Sequence, residues 1–155
     1  MELSMGLHLK GFILPLLVLL PNLLFIFFTP HNIPKTVSPP LIFIVFERIG
    51  QVTCFALPIL FGTKIAEQPI NFLTWLMLIC LIIYYLCWIR FYWSGREFAI
   101  LFKPLGFIPI PMALFPIMYF ILLAVWLNSY LFAVPAVLLA IGHFVTSWST
   151  FSQIQ

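Results

Sequence analysis

Apolar residues in this chain neither alternate with polar ones, as in a half-buried strand, nor keep to one side of a helical wheel. They run on for most of a membrane's thickness, separated by short polar clusters. A helix crossing about 30 Å of hydrocarbon needs roughly 20 residues of this kind. Five runs qualify, at about 11–28, 40–62, 69–92, 109–127 and 130–148. The last two come from the 52 residues after Lys103, which carry no charge and are divided by the polar pair Asn128-Ser129, a natural turn. The runs are too continuous for the alternation of a barrel strand, and open strands would leave backbone groups unpaired in lipid.

The predicted fold is therefore all-α, a polytopic transmembrane helical bundle of five spans. It has four if the first run, interrupted by Pro15 and Pro21, lies in the interface instead. That run starts with a weak basic signal (His8, Lys10) and has no Ala-x-Ala-like cleavage site, so it is read as a retained helix. Pro15, Pro21, Pro58, Pro116 and Pro135 each fall inside a predicted span, where each would free a carbonyl and bend the helix. Residues 1–155 are read as one integral membrane domain.

Composition sharpens the class. Hydrophobic residues make up 64% of the chain and charged residues 7%, against roughly 25% charged in an ordinary soluble domain. A formal charge of +3 is spread along the sequence, with no basic block for nucleic acid and no acidic tail. With five spans, Lys10 and Lys64 fall on one side, and Lys35, Arg96 and Lys103 on the other with Arg90 at its border. The positive-inside rule then makes the second side cytoplasmic, with the N-terminus outside, the C-terminus inside and the plasma membrane as the expected location.

Ionisable residues inside a span are costly, by about 2.5 to 3.5 kcal/mol at its centre, which makes each a functional candidate. Glu47 and Arg48 stand out, because a span starting near 40 puts Glu47 roughly 10 Å inside the boundary. Arg48 can snorkel to the headgroups; Glu47 cannot, and it shares a helix face with Gln51 rather than with Arg48. Its partner is expected on a neighbouring helix. Tyr85 and Arg90 on the third span and His143 on the fifth lie at similar depth, so Glu47, Arg48, Gln51, Tyr85, Arg90 and His143 form the candidate ligand-binding cluster. Against that reading, Tyr84, Tyr85, Trp88, Tyr92, Trp93 and Trp148 fit an interfacial aromatic belt, and Arg90 fits a snorkelling anchor. Ser94-Gly95-Arg96-Glu97 has the form of a capping box, predicting a short interfacial helix over the apolar residues up to Phe102 with its apolar side in lipid. Residues 106–111, with Pro109 and Pro111, predict an extended or kinked lead-in to the fourth span.

Chemical signatures are sparse. Cys54, Cys80 and Cys87 lie within spans with no Cys-x-x-Cys pair, so they are read as small apolar fillers, and no metal site or cofactor is assigned. The chain has no His-Glu-x-x-His, no Gly-x-Ser-x-Gly, no phosphate-binding loop and no Asp at all, which weighs against metal-assisted and hydrolytic chemistry. Three functional readings stand, with catalysis behind them. The first is binding of a small amphipathic or lipid-like ligand at the cytoplasmic-side cluster. The second is a transporter or channel subunit, as a homo-oligomer, using Glu47 and His143 as a proton or ion relay. The third is an accessory subunit of a larger membrane partner, for which Ala136-x-x-x-Ala140 offers a close-packing face. Expected partners are membrane lipids and a lipophilic ligand, and no nucleic acid.

Overall fold

The computed structural model describes residues 5–154, and all its regular structure is helical. Helix α1 spans Leu9–Phe27, α2 Leu41–Leu60, α3 Gly62–Glu67, α4 Phe72–Trp93, α5 Pro111–Trp126 and α6 Tyr130–Ile154, with a 3₁₀ segment at Phe98–Phe102. Helices α1, α2, α4 and α6 are long and apolar enough to cross a membrane; α5 is a shorter apolar helix of 16 residues. The chain is thus a membrane helical bundle in which the short member is the fourth run rather than the first.

Proline explains the shortening. Pro109 and Pro111 hold the backbone out of helix until Pro111 itself occupies the first turn of α5, where its missing N–H is harmless. At its other end Trp126 Nε1 donates to the Pro69 carbonyl at 3.0 Å, tying the end of α5 beside the start of α4. Sixteen residues rise about 24 Å, so the non-helical lead-in covers part of the thickness that α4 crosses alone. The lead-in is packed on protein at its end, where Ile110 is 2% exposed.

The five long elements form a closed ring. Helix α1 packs on α2 and α4, α2 on α6, α6 on α5, and α5 on α4. The turn into α6 falls at Asn128, whose left-handed φ of 46° a short polar side chain tolerates. Apolar side chains such as Phe12, Ile49, Ile82 and Val137 face outward all around the bundle, as they must when lipid is the solvent. Inside, Trp88, Phe91, Tyr119, Phe120 and Leu123 are buried in the core.

Three local expectations are corrected. Ser94 does not cap a new helix: it ends α4, and Gly95 and Arg96 both adopt positive φ. Glu97, the other half of the expected capping box, instead accepts two bonds from Asn32 Nδ2 at 3.0 and 2.9 Å, joining this turn to the loop after α1. The segment that follows is a single 3₁₀ stretch packed on α4, α5 and α6, so its apolar side faces protein rather than lipid. Second, α6 continues to Ile154, past the predicted end at 148, because Gln153 pairs with both backbone groups of Val37 at 2.6 and 3.1 Å. Third, the aromatic belt is divided. Tyr84 and Trp88 are interior at 4% and 6% exposed, Tyr85 and Tyr92 are half-buried, and Trp93 at 86% and Trp148 at 44% keep belt positions.

Candidate functional site

The site begins at the seam between α2 and α6, the broadest helix contact in the bundle. Two glycines bring the backbones together. A Cβ on Gly142 would lie 2.6 Å from Glu47 Cα and 2.7 Å from the Phe43 carbonyl oxygen, and one on Gly50 would lie 2.7 Å from Leu139 Cα. No side chain fits at either position, which is how small residues drive helix association in lipid. The close approach sets Glu47 directly against the next turn of α6.

There the carboxylate is fully engaged. His143 Nδ1 donates to Glu47 Oε1 at 2.7 Å and Thr146 Oγ1 donates to Oε2 at 2.8 Å. Glu47 and His143 are half-buried, their side chains 23% and 31% exposed. A carboxylate only accepts, so Nδ1 carries a proton and the second ring nitrogen, Nε2, is left for another partner.

His143 also lines a partly open cavity of 210 Å³ within the ring of helices. All five long helices and the 3₁₀ segment contribute to its wall: Val18 from α1, Phe55 from α2, Tyr84 from α4, Leu101 from the 3₁₀ segment, Ile117 from α5 and Leu139 from α6. Most of the wall is apolar or aromatic. Its polar members are Asn22, Gln51, Tyr84, Trp88, His143 and Ser147, and none of the lining residues is Lys, Arg, Asp or Glu.

These polar groups differ in how far they are satisfied. Asn22 Nδ2 donates to the Tyr84 hydroxyl at 2.9 Å and to the Val18 carbonyl at 3.1 Å. Trp88 Nε1 is buried without a hydrogen-bond partner among the described residues. Ser147 is 9% exposed, yet it does not bond back to its own helix as Thr150 and Ser152 do four residues upstream at 3.1 and 2.9 Å. Gln51 is half-buried, and neither it nor Ser147 makes a side-chain hydrogen bond among the described residues. A buried polar group without a partner costs about 1–3 kcal/mol, so the wall holds several groups with bonding capacity to spare.

Of the six residues singled out from the sequence, the structure joins Glu47 to His143 and sets Gln51 beside His143 on the cavity wall. It does not bring the other three there. Arg48 is exposed on the outer face of α2. The Tyr85 hydroxyl donates at 2.7 Å to the Leu17 carbonyl, the one that Pro21, having no N–H, leaves free in α1. Arg90 is bound to the carbonyls of Ile100, Lys103 and Pro104 at 3.4, 2.7 and 3.2 Å, so its guanidinium anchors the 3₁₀ segment.

Sequence reasoning missed Thr146 and Asn22 and left Tyr84, Trp88 and Ser147 outside the site. Thr146, one turn from His143, and Asn22, a lone amide in an apolar run, were the signals available. Gly50 and Gly142, not singled out from the sequence, carry the close contact between α2 and α6. Among the described residues no three His, Cys, Asp or Glu side chains gather as a metal-binding group, and the three cysteines are free. No protein-family model matches this chain, and comparison with curated proteins and with solved structures finds no match either.

Proposed function

We propose that this membrane protein binds a small amphipathic, lipid-like molecule inside its helix ring, with the polar end at Gln51, His143 and Ser147 and the apolar part against the aromatic wall. One observation carries the reading: a cavity walled by all five long helices, largely apolar, with a few polar groups whose bonding capacity is unused. That combination is the general form of a small-molecule site. The lining comes mainly from the half of the bundle nearer the C-terminal end of α6, the side that the Lys and Arg distribution assigns to the cytoplasm.

Native mass spectrometry of protein released from nanodiscs tests it. Wild type is expected to carry a discrete lipophilic adduct, and Ala113→Phe, which pushes a ring into the cavity, to lose it while remaining folded. A wild-type spectrum without adduct would overturn the proposal. The Glu47–His143 hydrogen bond supports a second reading, a proton relay across the α2–α6 seam, which predicts a homo-oligomer and proton flux in liposomes that Glu47→Gln abolishes.

A further inference from the structure

We propose that the molecule held in this cavity has an uncharged, hydroxyl-type head, a long-chain or polycyclic alcohol rather than a phospholipid, a fatty acid or a quaternary amine. The inference rests on the binding reading above and narrows its ligand class. It follows from the kind of polar group on the wall and from where the chain's charges are committed.

No lining residue is Lys, Arg, Asp or Glu. The nearby charged side chains are occupied elsewhere. Both Glu47 oxygens are taken, by His143 and Thr146, and Arg90, which does not line the cavity, gives its two terminal guanidinium nitrogens to three carbonyls of the 3₁₀ region while its Nε stays buried without a partner among the described residues. A phosphate or carboxylate entering the cavity would leave water for an apolar interior with no counter-charge, the most unfavourable transfer in membrane chemistry. A trimethylammonium head fares better against the rings of Phe55, Tyr84 and Trp88, but it has no N–H and no acceptor. It would leave Gln51, Ser147 and His143 without partners.

A hydroxyl answers the same groups in full. It donates one hydrogen bond and accepts two, while Ser147 and Gln51 each both donate and accept. His143 Nε2 adds a third partner whose ring plane is fixed through Nδ1 by Glu47, so the position offered to the hydroxyl is set before the ligand arrives. The cavity's 210 Å³ is below the roughly 300–1,000 Å³ of sites that engulf a drug-sized molecule. It suits a compact head and the first part of an apolar body, the rest of which extends through the cavity's open side.

Photo-crosslinking in nanodiscs tests the inference on the wild-type protein. Four probes share one diazirine-bearing C16 chain and differ only in the head: primary alcohol, methyl ether, phosphate monoester and trimethylammonium. Crosslinked peptides are mapped by mass spectrometry. The alcohol is expected to label the cavity wall about tenfold more than the ammonium, as the loss of one to two hydrogen bonds implies, and more strongly still over the phosphate, whose charge finds no counter-charge there. The methyl ether, which accepts but cannot donate, should fall between them, and Ser147→Ala should narrow the gap between alcohol and ether. Equal or stronger labelling of the wall by the phosphate or the ammonium overturns the head-group assignment and leaves cavity binding intact. Failure of every probe to label the wall, or labelling that Ala113→Phe does not reduce, overturns both.

Discussion

Gly142→Ala adds a single methyl group at one of the closest helix contacts in the bundle. The new Cβ would sit 2.6 Å from Glu47 Cα and closer still to the Glu47 backbone nitrogen, and ordinary van der Waals contact begins at 3.4 Å, so α2 and α6 must part there by at least 0.8 Å. The atoms it meets, Glu47 N and Cα and the Phe43 carbonyl oxygen, are all backbone, so no side chain can rotate away. Overpacking of this kind costs about 1–3 kcal/mol. A shift of that size along the 2.7 Å bond from His143 to Glu47 stretches it to the limit of hydrogen bonding, and interhelical bonds in membranes contribute about 0.6 and at most about 1.7 kcal/mol. The expected loss is about 2–4 kcal/mol. Steric-trapping or SDS-titration unfolding in bicelles would measure it, with the lipid-facing Val137→Ala as control. A Gly142→Ala protein within about 0.5 kcal/mol of wild type, the range of harmless surface changes, would refute the reasoning, because the helices could not then be as close as described.

Other consequences are as direct. Tyr85→Phe strips the Leu17 carbonyl of its substitute partner beside Pro21 and should destabilise the bundle by about 1–2 kcal/mol in the same assay; an unchanged midpoint would mean that Pro21 needs no such rescue. Arg90→Lys keeps the charge but loses the fork that spans three carbonyls, so amide exchange over residues 98–104 should accelerate at least severalfold while the α2–α6 seam stays protected. Glu47→Gln offers one acceptor where the carboxylate accepts from both His143 and Thr146. The ¹⁵N spectrum of His143 should then show a mixture of ring tautomers in place of the single Nδ1–H form, and an unaltered spectrum would show that Glu47 does not set it. A reporter fused after Gln155 should be active on the cytoplasmic side only, and the opposite result would reverse the orientation read from Lys35, Arg96 and Lys103.

Much of this protein is legible in its sequence, for reasons that belong to the solvent. Lipid offers no hydrogen bonds, so uninterrupted apolar runs have no option but helix. The positions of α1, α2, α4 and α6 follow to within a few residues at most ends, as does the turn at Asn128. The same reasoning required Glu47 to find a partner on another helix, and depth placed Tyr85, Arg90 and His143 together as the candidates, of which the structure pairs His143 with it. Local signals failed where two of them competed. Ser94 and Glu97 have the spacing of a capping box, but Asn32, 65 positions before Glu97, takes its carboxylate first. Pro109 and Pro111, by contrast, marked the extended lead-in correctly, and α5 starts at Pro111.

Tertiary structure alone decided which polar groups are spent and which are free. Tyr85, Arg90 and Gln51 look equally available along the chain, yet Pro21 claims the first through Leu17 and the loop carbonyls claim the second, leaving Gln51 at the cavity. Gly50 and Gly142 read as unremarkable glycines until the two helices meet across them. An apolar run specifies a helix because the helix satisfies its own backbone, whereas a side-chain hydrogen bond depends on which distant atom arrives within 3 Å, and the order of helices around a ring is written in no local pattern.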